Sequence, residues 1–122
     1  MNWNTLFAKE QTITPAETRR LMGSETFEDY QLVDVRQPKE YEQAHIPGAI
    51  LIPLSDLTDN LSSLEKKNPV IVYCRSGVRS KAACQILVQA GFTQCFDMVG
   101  GILKWEGAEA AGEELFGLEH FV

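Results

Sequence analysis

Cys74 closes an apolar run, Val70-Ile71-Val72-Tyr73, and opens a short polar loop, Cys74-Arg75-Ser76-Gly77-Val78-Arg79. A helical pattern over residues 80–90 follows at once, so the thiol lies beside the free backbone N–H groups of a helix start. Arg75 at the mouth of the loop and Arg79 at its closing end add fixed positive charge. All of these features favour thiolate over thiol, and thiolate is the nucleophilic form of cysteine. Cys74 is therefore expected to titrate well below the free-thiol value of about 8.5, in a part of the loop open to a reactant. The N–H groups of residues 75–79 can turn inward around the sulfur as an anion nest, and Gly77 supplies one position free to take positive φ.

Loop length narrows the chemistry. Phosphatases that use a cysteine nucleophile in a comparable cradle place one residue more between Cys and Arg than the four that separate Cys74 from Arg79 here. A smaller ring suits a single sulfur atom attached to Cys74 better than a tetrahedral phosphoryl group.

The elements that must position this loop can be read from the apolar pattern. Thr12-Ile13 reads as a first strand. A helix follows to about Met22, with Thr14 placed as N-cap, Pro15 at the first helical position and Gly23 after its end. Residues 30–35 form a β-prone run ending at Asp34, Arg36 and Pro38, and residues 37–44 a short charged helical turn. Residues 49–52 read as a third strand. Leu54, Leu57, Leu61 and Leu64, spaced by three and four, predict a helix over 55–64, and Asn68-Pro69 stops it. Val70 to Tyr73 is the fourth strand. In the next helix Ala82, Ala83, Ile86, Leu87 and Ala90 share a face, and Gly91 is a stop. Residues 94–99 are a fifth strand, after which Gly100-Gly101 lead into a helical turn carrying Trp105. Near-continuous apolar strands alternating with helices predict an α/β fold: a five-stranded, mostly parallel sheet with helices on both faces. In such sheets ligands bind outside the carboxyl ends of strands, where Cys74 lies.

The 122 residues fit one domain, with a core over about residues 12–106 and a tail over 107–122 that could dock as a helix or meet a partner. A net charge of −6 and pI near 4.9 argue against nucleic acid or an anionic membrane as partner. Three cysteines without framework spacing fit a reducing compartment, and the N-terminus lacks the basic and apolar regions of a secretory signal; a cytoplasmic location is expected. No Cys-x-x-Cys or His-x-x-x-His spacing supports a metal, and no cofactor is expected; His45 reads as structural and His120 as tail surface. Cys95 reads as a packing residue and Cys84 as a conceivable resolving thiol set away from the loop by helix rise. Asp34 could orient Arg79 or brace the loop, while Arg36 and Glu40 read as a surface pair.

Three segments together make the chain resemble the rhodanese-like sulfurtransferases in their single-domain form, over roughly residues 13–106. They are Leu32-Val33-Asp34-Val35-Arg36-Gln37-Pro38-Lys39-Glu40-Tyr41 with His45-Ile46-Pro47-Gly48-Ala49, then Val72-Tyr73-Cys74-Arg75-Ser76-Gly77-Val78-Arg79-Ser80, then Gly100-Gly101-Ile102-Leu103-Lys104-Trp105. The resemblance implies a rhodanese-like fold and a persulfide cycle. Cys74 matches the family's catalytic cysteine and residues 75–79 its active-site loop. A donor such as thiosulfate would pass its outer sulfur to Cys74, and a thiophilic acceptor, cyanide or a thiol, would remove it. A protein thiol could be that acceptor. Arg75 looks like the thiosulfate-using members, since mercaptopyruvate-using ones usually carry Gly there. Ala44 and Leu51 depart from the Gly and Asn common in the family, and both lie away from the loop.

Two rival functions remain at the level of sequence. One is a sulfur carrier or interaction module without turnover of its own. The other is a small cysteine phosphatase or arsenate reductase built on Cys74 and Arg79, against which the short loop argues.

Overall fold

The computed structural model describes residues 11–112. Strands β1 (Gln11–Ile13), β2 (Gln31–Asp34), β3 (Ile50–Leu51), β4 (Val70–Tyr73) and β5 (Cys95–Met98) form one sheet in the order β1-β5-β4-β2-β3. Every pairing is parallel, so the sheet is wholly rather than mostly parallel. β4 is central and buried along its whole length, which explains its uninterrupted apolar sequence. Its side chains alternate between two cores. Val70 and Val72 pack with Val33, Val35, Ala83, Leu87 and Cys95 on one face. Ile71 and Tyr73 pack with Leu32, Tyr41, Met98 and Trp105 on the other. Burial of each such aliphatic side chain is worth about 1.5–3 kcal/mol.

The helices are α1 (Pro15–Met22), α2 (Pro38–Gln43) and α3 (Val78–Gln89). α1 begins as its sequence predicts: Glu17 N–H donates to Thr14 Oγ1 at 3.0 Å, and Thr14 N–H donates to Glu17 Oε1 at 2.8 Å. α3 packs on the β4–β5 side of the sheet, with Ser80, Ala83, Cys84 and Leu87 buried.

The helix expected over 55–64 is not formed. Two 3₁₀ segments, Leu54–Asp56 and Thr58–Ser63, replace it, with non-helical backbone at Asn60. Asn60 Nδ2 donates to the Asp56 carbonyl and Ser63 Oγ to the Asn60 carbonyl, each at 2.7 Å. Short polar side chains thus compete for the backbone and favour the tighter turn. Leu57 and Leu64 still reach the core, because a three-residue period serves a 3₁₀ turn as well as an α-helix. The turn after Gly101 is likewise 3₁₀, Ile102–Lys104. Of the expected tail, Ala110 bridges to His45, and residues 113–122 lie outside the described residues. Among the described residues no helix is long and apolar enough to cross a membrane.

Candidate active site

Cys74 follows β4 directly, and α3 begins at Val78. The turn between them depends on Gly77, whose φ of 114° side chains rarely adopt. That turn aims two N–H groups at the sulfur: Gly77 N–H donates to Cys74 Sγ with N···S 3.1 Å, and Ser80 N–H with 3.3 Å. Ser80 Oγ lies 3.5 Å from the same sulfur and 2.6 Å from Asp97 Oδ1. Burial alone would push the Cys74 thiol up. The Ser80 hydroxyl and the N–H groups of Ser80, Gly77 and Ser76 outweigh that and hold it below its ordinary value. Cys74 is only 1% exposed, so the sulfur sits at the floor of the loop and not in an open part of it. The N–H groups that form the nest belong to residues following the sulfur, and they point to it because helix starts leave such donors free.

The two loop arginines diverge. Arg75 is exposed and lines a cleft of about 220 Å³ with Arg36, Glu40, Leu103 and Glu109. Arg79 turns outward: Nη1 donates to Glu40 Oε1 at 2.7 Å and Nη2 to Glu40 Oε2 at 3.0 Å. Hydrogen bonding to Arg79 holds the Glu40 carboxyl down at about 2. Asp34 is not the partner of Arg79. Its carboxylate accepts from Arg36 Nε at 3.0 Å and from Arg36 Nη2 at 2.8 Å, and both residues are buried. Arg36 Nη2 also donates to the Ala44 carbonyl at 2.6 Å. Arg36 and Glu40 are therefore not a surface pair. Each belongs to a separate ion pair, and the buried one ties the end of β2 to the end of α2.

The loop is braced from behind. Ile102 N–H donates to the Cys74 carbonyl at 2.9 Å and Leu103 N–H to the Arg75 carbonyl at 3.2 Å. Gly101 makes this approach feasible: a Cβ there would stand 2.3 Å from the Arg75 carbonyl oxygen and 2.6 Å from that of Cys74. Gly101 thus serves the Cys74 loop as well as the turn that the glycine pair was expected to make.

Cys84 and Cys95 are buried, and their sulfurs lie 2.9 Å apart, across the contact between α3 and β5. Cys84 therefore meets Cys95, and the packing role expected of Cys95 includes this contact. His45 is buried, stacked on the Tyr41 ring at 3.6 Å between centroids, with Nδ1 2.6 Å from the Tyr41 carbonyl oxygen. Among the described residues no group of three His, Cys, Asp or Glu side chains is placed to hold a metal.

Ser80, Asp97, Gly101 and Glu40 make contacts around the Cys74 loop that the sequence reading did not give them. Asp97 had a visible sign: an acid inside the apolar strand Cys95–Met98 needs a partner wherever it is buried.

The chain matches the model of the rhodanese-like domain over residues 14–108. It belongs to the rhodanese-like domain family. A protein named sulfurtransferase from Allochromatium vinosum is 41% identical over 78 residues, 64% of this chain and 73% of that protein. The thiosulfate sulfurtransferase GlpE of Pseudoalteromonas translucida is 32% identical over 96 residues, 79% of this chain and 89% of that one. The crystal structure of a rhodanese-related protein from Thermoplasma volcanium superposes with a TM-score of 0.71 at 31% identity, covering 82% of this chain and 97% of that one. The fold is rhodanese-like, as the sequence resemblance implied.

Proposed function

We propose that this chain is a sulfurtransferase that carries a sulfane sulfur on Cys74, taking it from a donor such as thiosulfate and giving it to cyanide or a thiol. The observation that carries this reading is the convergence of the Gly77 and Ser80 N–H groups on Cys74 Sγ at 3.1 and 3.3 Å. The Cys74 thiolate attacks the outer sulfur of thiosulfate, the donor S–S bond breaks, and sulfite leaves with the bonding pair. An acceptor then attacks the outer sulfur of the persulfide, and Cys74 leaves as thiolate, the charge those donors stabilise. The same short distances favour sulfur over phosphoryl transfer, since the donors already close on one sulfur atom and leave no ring for three equatorial oxygens.

Intact-mass measurement tests the proposal. Incubation with thiosulfate should add one sulfur atom to the protein, and cyanide should remove it with release of thiocyanate. No mass gain, or a gain that survives in the Cys74→Ser variant, would refute it. Hydrolysis of an aryl phosphate at a rate comparable with sulfur transfer would favour the phosphatase reading instead.

A second reading, delivery of sulfur to a protein thiol, has its own support. Val78 and Leu103 are 77% and 57% exposed. Val78 follows Gly77 in the loop, and Leu103 shares the Arg75 cleft. Apolar side chains beside a nucleophile cup are of little use to cyanide and suit a protein surface. Val78→Asp or Leu103→Asp should then slow transfer to a protein acceptor while leaving transfer to cyanide unchanged.

A further inference from the structure

Arg19, Arg20 and Lys104 line one hollow of about 560 Å³, where β1 runs into α1 at the edge of the sheet. The arginines come from the last turn of α1, and Lys104 ends the 3₁₀ turn Ile102–Lys104. Placement at the end of α1 suits the helix dipole and accounts for the two arginines there. It does not account for Lys104, which a separate element brings to the same hollow. Gly100 makes room for its stem: a Cβ there would stand 2.6 Å from Lys104 Cγ. All three side chains are exposed, and among the described residues none of them forms an ion pair. Among the described residues Glu106 is the one carboxylate that lines the hollow, so three cations meet one acid on a chain whose net charge is −6. Glu17 attracts Arg20 from outside the lining, but its Oε1 already accepts from the Thr14 N–H at 2.8 Å. Like charges gathered in this way repel one another, and an anion between them removes that cost.

We propose that this hollow binds a small organic anion carrying two or more carboxylate or phosphate groups. Each arginine offers a planar fork that takes a carboxylate or phosphate through two parallel hydrogen bonds, and Lys104 supplies a point charge. Cations on two elements suit a ligand with more than one anionic group, and Pro15 and Ala16 give its carbon skeleton an uncharged wall. The volume falls in the range of about 300–1,000 Å³ typical of small-molecule sites, whereas the cleft beside Arg75 measures about 220 Å³. The two are separate places. Ile102 and Leu103 line the Arg75 cleft and Lys104 lines the hollow, so the 3₁₀ turn stands between them. The inference needs no sulfur chemistry and stands whether or not Cys74 carries sulfur.

The experiment is isothermal titration calorimetry on the full chain with two probes, citrate and fructose 1,6-bisphosphate, at low and at physiological ionic strength. At least one should bind one-to-one with a dissociation constant below about 1 mM, and about tenfold more weakly at the higher salt. Binding of citrate alone would assign carboxylates, and of the bisphosphate alone phosphates. Arg19→Gln, Arg20→Gln and Lys104→Gln should each weaken binding about tenfold, with thermal midpoints unchanged because the side chains are exposed. Lys104 and the arginines lie on different elements, so one variant decides where another fails to fold. Glu106→Gln should tighten binding about threefold, by removing the opposing charge. Arg75→Ala should leave it unchanged, and loss of binding there would move the ligand to the Cys74 cleft and overturn the assignment. No saturable heat with either probe would overturn it too, as would binding that survives all three neutralisations. Glu113, Glu114 and Glu119 of the same chain are the rival occupant. Changing all three to Gln should leave the affinity as it was; a gain of about tenfold would show the chain's own carboxylates filling the hollow and would overturn the proposal.

Discussion

Arg79 is paired with Glu40, the residue that opens the far side of the cleft beside Cys74. Its guanidinium spans both carboxylate oxygens, at 2.7 and 3.0 Å. Glu40 in turn accepts from the Gln37 N–H at 2.9 Å, so the start of α2 holds the start of α3. The arginine that closes the Cys74 loop thus works as a clasp. The side chains are 32% and 27% exposed, so the pair contributes only about 0–1 kcal/mol to stability. Its value lies in where it places the loop.

Glu40→Gln should therefore lower stability by less than about 1 kcal/mol at neutral pH and reduce kcat about three- to tenfold. The pH dependence has a definite sign. The folded Glu40 carboxyl, at about 2, lies below its ordinary 4.5. The contribution is then full above the higher value and is lost as pH falls through the lower one. Denaturant unfolding of native protein and variant should differ near neutrality and converge toward about pH 2. A stability difference that grows on acidification would contradict the clasp.

The two loop arginines should fail differently. Arg75 is exposed at the cleft and should steer an anionic donor: Arg75→Ala is expected to raise the KM for thiosulfate about tenfold, less at high salt, with kcat little changed. Arg79→Ala should lower kcat and shorten persulfide lifetime without the salt dependence. Steady-state kinetics across ionic strength would show it, and matching profiles for the two variants would dismiss the distinction.

Cys74→Ser should reduce sulfur transfer to background while the thermal midpoint stays within about 4–8 °C of native, the shift about 1 kcal/mol causes in a domain of this size. Thiol counting complements it. Native protein should offer a small alkylating reagent no thiol except Cys74: all three are buried, but Cys74 lies directly under the exposed loop with its thiol held below the ordinary value, whereas Cys84 and Cys95 face each other inside the α3–β5 contact, and unfolded protein should offer all three. Rapid modification of Cys84 or Cys95 in the native state would refute that burial.

Gly101→Ala places a Cβ against two carbonyl oxygens at a φ of 65° and ψ of −165°. The backbone conformation alone costs about 1–3 kcal/mol, and the overlap adds to it. Destabilisation of about 3 kcal/mol or more is expected in denaturant titration, together with loss of activity in the fraction that remains folded. A change below about 1 kcal/mol would show that the brace yields easily.

The Cys74 loop was legible because everything that forms it is local. The apolar run of β4, the polar loop and the apolar face of α3 are contiguous, and a central parallel strand must be apolar on both sides. What sequence could not deliver was partner choice across elements. Arg79 finds Glu40, 39 residues earlier, and Ser80 finds Asp97, 17 residues later. Asp34 stands at the strand end from which bracing was expected, and its hydrogen bonds go to the nearer Arg36. The 55–64 segment misled because leucines three and four apart satisfy either helix type, and the choice fell to Asn60 and Ser63 bonding to backbone.

The grip of Ile102 and Leu103 on the carbonyls of Cys74 and Arg75 is made by main chain alone. The sulfur's location is therefore indifferent to which side chains occupy the outward-facing positions Arg75, Ser76, Val78 and Leu103. Two problems that selection must solve are decoupled here. Divergence can redecorate the face shown to incoming molecules one substitution at a time, and the Cys74 sulfur stays where it was.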